Sequence, residues 1–332
     1  MVTITDIAKA LGVTPSTVSR ALADSPRVKE ETRLAVHRKA EEMGYRRNVV
    51  ASNLRLGRSE IVGIIVPRIN RAFFSSAISG AEAVLRAAGY STIICQTNED
   101  YEMEIRSLRS LGNNQVAGIL MSHAISAPDG SHVKEAAGDI PLVQFDRVYS
   151  EIPGAKVISD NFDGAYKATM HLVAAGYKRI GTIAGFVGAG IFADRLAGYR
   201  KALEDSGIQY DESIVFPESI VRETGHAAAL QALACGCDAL YSAGDFSALG
   251  AVDALKEKGV RIPEDFGIVG TANEFFTSLM TPSLSSLEQH PFEMGEAAAQ
   301  AFLEGSGDTT VIPMDLHVRE SSNRIINTLC QK

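Results

Sequence analysis

The sequence predicts an α/β protein: a small N-terminal three-helix unit followed by two doubly wound lobes. Apolar residues recur at helical spacing in three short segments within the first 45 residues. From residue 61, continuous β-branched runs alternate with amphipathic helical stretches. That rhythm restarts near residue 160, which implies two βα sets in succession. A chain of 332 residues is long enough for about two globular units.

Composition narrows the classes. Apolar residues make up 45% and charged residues 22%, which excludes a disordered or collagen-like chain. The longest apolar runs, such as Ile61–Val66, fall far short of the ~20 residues of a membrane span. Asp6 and Lys9 stand where a secretory signal needs an apolar stretch, so none is expected. The cysteines, Cys95, Cys235, Cys237 and Cys330, are scattered and suit a reducing cytoplasm. The net charge of −8 argues against nucleic acid until the chain is divided. Residues 1–60 carry 11 Lys and Arg against 7 Asp and Glu, a net +4, and the remainder carries 21 against 33, a net −12. A basic headpiece on an acidic body is the pattern of a small nucleic-acid-binding unit attached to something else.

Thr5 is read as the N-cap of a first helix, with Ile7, Ala8 and Leu11 on one face and Gly12 as its stop. Thr14 then caps a second helix that begins at Pro15, where the missing N–H costs nothing. Val18 and Leu22 face inward on it. After a turn through Ser25 and Pro26, Val36, Ala40 and Met43 form the inward stripe of a third helix ended by Gly44. Helix, glycine turn, helix and supporting helix is the helix-turn-helix plan, whose second helix enters the major groove. Pro15, Ser16, Thr17, Ser19 and Arg20 lie outside its buried line. Arg20 can donate two hydrogen bonds to guanine, and the hydroxyls can reach phosphate or a base edge.

The run through "DIAKALGV", "STVSRAL", "ETR" and "MGY" resembles the headpiece of the lactose/galactose repressor (LacI/GalR) family of bacterial transcription regulators. The resemblance implies a DNA-binding headpiece over 1–45 and a hinge helix over 46–58. Residues 48–57 are too short for a stable isolated helix, and the family implies that they fold only on DNA, where Leu54 wedges into a base step. Thr5, Arg27, Tyr45, Asn48 and Arg55 complete the expected DNA-facing set. Arg47 departs from the family, which usually has Pro there. The turn into the hinge is less constrained as a result, and one more cation is available for phosphate.

In the body, "IVGIIV", "STIIC", "VAGILMS" and "PLVQF" read as strands of a first lobe, separated by helices. "RIGTIAG", "ALYSA" and "FGIVG" read as strands of a second. The layout resembles the family's sugar-receptor body, which has the fold of periplasmic binding proteins. That implies a first lobe over 59–159 with 288–320, a second over 160–287 with 321–332, and chain crossings near 160, 288 and 320. Ligands of open α/β sheets sit at the strand C-terminal ends. The family pattern places Arg195 there as a fork donor, Asp146 as an acceptor for hydroxyls, and Phe73 and Phe74 as a stacking surface. Asp245, Asn273 and Gln289 complete the expected effector set. Two departures stand out: Gly244 where the family commonly has Asn, and Ala272 where it commonly has a carboxylate that grips sugar hydroxyls. They favour a phosphorylated or acidic sugar over a familiar neutral one.

Catalysis is not expected. Gly185, Gly188 and Gly190 miss the spacing of a dinucleotide-binding loop, and neither a phosphate loop nor a zinc-protease motif occurs. Cys235 and Cys237 have no matching second pair for a metal, and the seven histidines are not expected to cluster. The expectation is a cytoplasmic homodimeric regulator, a repressor, without cofactor, metal or membrane partner. Its partners are a two-fold operator in double-stranded DNA and a small effector, a sugar or sugar derivative. The chain ends at "NTLCQK" without heptads, so no tetramer is expected. A sugar receptor without DNA function is the alternative, and it would call for a secretory signal and no basic headpiece.

Overall fold

The computed structural model describes residues 2–45, 59–125, 129–186, 190–217 and 220–324. The chain divides into two compact units, Met1–Ser59 and Glu60–Lys332. The expected hinge over 46–58, with Asn48, Leu54 and Arg55, lies outside the described residues.

The first unit consists of α1 (Ile4–Leu11), α2 (Pro15–Ala21) and α3 (Glu30–Glu42). Its core is Ile7, Ala8, Val18, Ala21, Val36 and Ala40, with Leu11, Leu22, Met43 and Tyr45 partly buried against it. Gly12 ends α1 at φ 65, a conformation in which a side chain would be strained. The cap of α1 differs from expectation: it is Thr3, not Thr5. The Thr3 hydroxyl accepts the Asp6 N–H at 3.4 Å, and the Asp6 carboxylate accepts the Thr3 N–H at 2.9 Å. Such a reciprocal box needs an acidic side chain three residues after the cap, and only Thr3 has one.

The second unit holds two sheets. In the first, β1 (Ile61–Val66), β2 (Ser91–Gln96), β3 (Gly118–Met121), β4 (Leu142–Phe145), β5 (Lys156–Ser159) and β11 (Thr309–Ile312) run parallel in the order β11-β5-β4-β3-β1-β2. Because side chains alternate along a strand, Val62, Ile64 and Val66 of β1 join one face's core and Ile65 joins the other. One face is covered by α4 (Ala72–Ala87) and α11 (Pro291–Glu304), the other by α5 (Tyr101–Asn113) and α6 (Ser131–Ala137).

In the second sheet, β6 (Ile180–Ile183), β7 (Val215–Phe216), β8 (Ala239–Ser242), β9 (Gly267–Thr271), β10 (Ser285–Glu288) and β12 (Asp315–His317) follow the order β12-β10-β9-β8-β6-β7. Only β12 is antiparallel to its neighbour. Its helices are α7 (Asn161–Ala174), α8 (Gly190–Asp205), α9 (Arg222–Ala234) and α10 (Asp245–Glu257). Each sheet reverses its strand order once, between β1 and β3 and between β6 and β8. Such a reversal opens a crevice at the strand C-terminal ends.

The chain crosses between sheets after β5, after β10 and after β11. The third crossing therefore lies between Ile312 and Asp315, not near 320, because β12 pairs with β10 in the second sheet. The crossings are bonded to one another. The Gln289 side-chain amide donates to the Ser159 hydroxyl at 3.3 Å, and His290 Nε2 lies 3.0 Å from an Asp315 carboxylate oxygen. No described helix is long and apolar enough to cross a membrane.

Reciprocal glycines set the approach of α4 and α11. A Cβ at Gly80 would overlap the Phe292 carbonyl, and one at Gly295 would overlap the Ala77 carbonyl. Gly295→Ala should therefore lower stability by about 1–3 kcal/mol through overpacking, even though alanine is the better helix former. Urea unfolding followed by circular dichroism checks this. Unchanged or greater stability would show that the two helices do not need this close approach.

Candidate functional site

Two surfaces carry the residues expected to act. On the headpiece, Val18 and Ala21 turn α2 inward, while Pro15, Ser16 and Arg20 are exposed and Thr17 and Ser19 are partly buried. The Thr14 hydroxyl accepts the Thr17 N–H at 3.2 Å and lies 2.8 Å from the Ser16 hydroxyl and 2.9 Å from that of Thr17. The start of α2 thus gathers three hydroxyls beside the helix's positive end, an arrangement suited to anionic oxygens. Thr5 and Arg27 are exposed, and Tyr45 packs against the headpiece core.

In the body, a cleft of about 380 Å³ opens between the lobes at the strand C-terminal ends. Of the residues expected to face ligand, Phe73, Phe74, Asp146, Arg195, Asp245 and Gln289 line it. Phe73 and Phe74 meet edge to face at 5.1 Å in the first turn of α4. Arg195, on α8, is buried. Its Nε donates to Asn161 Oδ1 and its Nη1 to the Ala243 carbonyl, both at 2.8 Å. Asp146 follows β4 at φ 60 and accepts from the Ser122 hydroxyl at 3.2 Å. Asp245 opens α10 with both oxygens occupied, one by the Ser286 hydroxyl at 2.7 Å and the other by the Glu274 N–H at 2.8 Å.

Asn273 is not brought to the cleft. Its N–H donates to Ser286 Oγ at 3.0 Å, its amide donates to Glu288 at 2.8 Å, and its carbonyl oxygen accepts from Arg319 at 2.7 Å. The cause is a kink after β9, where Ala272 and Asn273 adopt φ 113 and φ 47. That turn carries Glu274 into the lining instead. The carboxylate absent at Ala272 is thus supplied two residues later.

Arg68, Arg71, Glu99, Arg147 and Phe246 also line the cleft and were not anticipated. Arg71 places its guanidinium 3.7 Å from the Phe246 ring centroid, joining the two lobes across the cleft. Arg147 donates to Glu99 at 2.6 Å and to the His123 carbonyl at 3.2 Å. The available signal was position. Arg68 and Arg71 follow β1, Glu99 follows β2 and Arg147 follows β4, all at C-terminal strand ends.

The charges do not cancel as a count of residues suggests. Glu99 is committed to Arg147. Burial pushes Asp146 and Glu274 up from the ordinary carboxyl range, and it lifts Asp245 to about 7 against the hydrogen bonds it accepts. A carboxylate can answer burial by taking a proton, whereas guanidinium keeps its charge in proteins. The lining thus sets four guanidinium groups, Arg68, Arg71, Arg147 and Arg195, beside four acids, three of which burial pushes toward their neutral form.

The histidines correct one expectation. His123 and His132, apart in sequence, approach to 6.3 Å between ring centroids and meet on the buried Glu104 of α5. No spacing along the chain could show this, because three different elements bring them together. Gly190 begins α8, and Gly188 is outside the described residues.

Asp245 has a pH signature. Its folded pKa of about 7 exceeds the ordinary 3.8, so its contribution is fully present below 3.8 and is lost as pH rises through about 7. Asp245→Asn should remove that dependence. Relative to wild type, the variant gains on the order of 1–4 kcal/mol between acid and neutral pH, then stays level. Unfolding titrations across that range check it, and a flat difference would show that folding leaves the Asp245 pKa at its ordinary value.

Comparison with known proteins follows the same division. Residues 59–320 match the model for periplasmic binding proteins and the sugar binding domain of the LacI family, and residues 3–48 match that for bacterial regulatory proteins of the lacI family. The chain is 31% identical to the HTH-type transcriptional repressor PurR of Haemophilus influenzae (strain PittEE) over 92% of its own length and 91% of the relative's. It superposes on the lac repressor dimer bound to operator and the anti-inducer ONPF with a TM-score of 0.85 at 25% identity, covering 97% of this chain and 99% of that one. Against a complex of the regulator CelR with cellobiose the TM-score is 0.72 at 28% identity, covering 97% and 100%. The chain belongs to the LacI family and is a transcription regulator rather than an enzyme.

Proposed function

We propose that this regulator represses transcription in the cytoplasm by binding a two-fold operator as a homodimer, and that a small acidic sugar derivative in the interlobe cleft changes its operator affinity. The observation that carries the reading is one chain holding both an α2 with an exposed Ser/Thr/Arg face and a cleft lined by four arginines. In this reading Arg20 reads a base edge, and Ser16, Thr17 and Ser19 bond phosphate or base. Asn48, Leu54 and Arg55 enter it from the sequence alone. Relatives that bind an operator or cellobiose support the two halves separately.

The cleft can signal because its lining comes from both lobes. A ligand held by Arg71 and Asp146 on one side and by Arg195 on the other binds a particular lobe arrangement better than others. It shifts operator affinity only by that difference, typically ~1–3 kcal/mol.

Fluorescence anisotropy on a selected operator and on random duplex tests the reading. Arg20→Ala should weaken operator binding by about 1–3 kcal/mol and random binding by less. Equal losses on both would reduce Arg20 to a phosphate contact. Arg195→Ala should keep operator affinity while losing the response to any sugar acid or sugar phosphate that acts on wild type. A variant that still responds would move the effector site away from the cleft.

A further inference from the structure

The Glu104–His123–His132 cluster lies outside the effector reading. Glu104 sits on α5, His123 just after β3 and His132 in the first turn of α6. All three are buried, and one ligating atom from each falls within 4.8 Å of the others. His123 Nδ1 is 3.0 Å and His132 Nε2 is 2.7 Å from the same carboxylate oxygen, Glu104 Oε1.

The outer ring nitrogens decide what this means. His123 Nε2 faces Gln144 Oε1 at 2.9 Å, and His132 Nδ1 faces the Asp129 carbonyl at 3.1 Å. Both partners are acceptors. The Gln144 amide cannot be turned round, because its NH₂ donates to the carbonyls of Tyr149 at 3.2 Å and Ile152 at 3.4 Å while its oxygen accepts the Tyr149 N–H at 2.8 Å. Each imidazole therefore carries its proton on the outer nitrogen. The inner nitrogens of both rings converge with Glu104 Oε1 on one buried point. Histidine that ligates a metal commonly shows this pattern, with the outer N–H held by a carbonyl or carboxylate.

We propose that Glu104, His123 and His132 bind a divalent transition-metal ion of the zinc class. Two imidazoles and a carboxylate are a borderline-soft N/O donor set of the kind zinc takes. With bonds of ~2.0–2.1 Å the ligand atoms would stand roughly 3.3 Å apart, so the cluster opens by a few tenths of an ångström on binding. His123 also borders a second cavity of about 290 Å³, which supplies a route in and room for a water as a further ligand. The ion would clip His123 and His132 to α5. Ile125, two residues after His123, lines the effector cleft, and its N–H donates to Glu99 at 2.9 Å, so the metal would stiffen one wall of the cleft.

The test uses the full chain, stripped with chelator and then titrated with zinc and with cobalt(II). Wild type should take up one equivalent, gain thermal stability with zinc and show a visible cobalt ligand-field band. His132→Asn and His123→Gln keep the outer hydrogen bond and remove the inner nitrogen, and each should weaken metal binding at least roughly tenfold. Retained affinity in both variants would place the metal on surface histidines and overturn the assignment. Should either variant fail to fold, imidazole ¹⁵N NMR of wild type decides the matter. Inner nitrogens that shift on zinc addition while the outer ones stay protonated support the site. Rings protonated on both nitrogens and indifferent to zinc would show that protons alone hold the cluster together.

Discussion

A guanidinium buried between two lobes cannot discard its charge, and much of the body is arranged around that of Arg195. The side chain spans the base of the cleft, from Asn161 at the start of α7 to the Ala243 carbonyl beyond β8. It ties the first chain crossing to the central strand of the second sheet. Asp146, from the opposite lobe, and Asp245 both act on it electrostatically. Neither acid makes a close ion pair with it, and burial pushes both toward their protonated forms. Removing one partner from a buried charge is expensive, which makes this position both a brace for the fold and the natural seat of a ligand's oxygen atoms.

The three crossings determine how a ligand there can be felt elsewhere. They are short, and side-chain bonds through Ser159, Gln289, His290 and Asp315 join them to each other. Lobes connected this way move mainly by hinging at those residues. Arg71, stacked on Phe246, adds a contact that spans the cleft and depends on how far it is closed. Ligand binding and lobe angle are therefore linked without any rearrangement of the two packed cores.

Much of the fold was legible because its signals are local. The headpiece core matched the apolar spacing of Ile7, Val18, Val36 and Ala40, and β1 was plain from "IVGIIV". The third crossing was misplaced because β12 is only three residues long and pairs antiparallel, which no periodicity reveals. At the site, six of the seven expected effector residues reached the cleft. Asn273 did not, since two positive-φ residues reverse the chain just before it, and such a kink is invisible where neither residue is glycine. Arg68 and Arg71 follow the end of β1, and only that position, not their residue type, marks them in the sequence. The His123–His132 approach depends on tertiary packing and had no trace in the sequence.

The central claim is that the guanidinium groups lining the cleft select an acidic ligand, and affinity within one matched series tests it most directly. Calorimetry of the wild-type chain with a neutral hexose, its uronic acid and its phosphate ester, repeated across several sugars, removes ring shape as a variable. The account predicts that within a series at least one acidic member binds tenfold or more tighter than its neutral parent, about 1.4 kcal/mol or more. Neutral sugars binding as tightly as their acids in every series would contradict it.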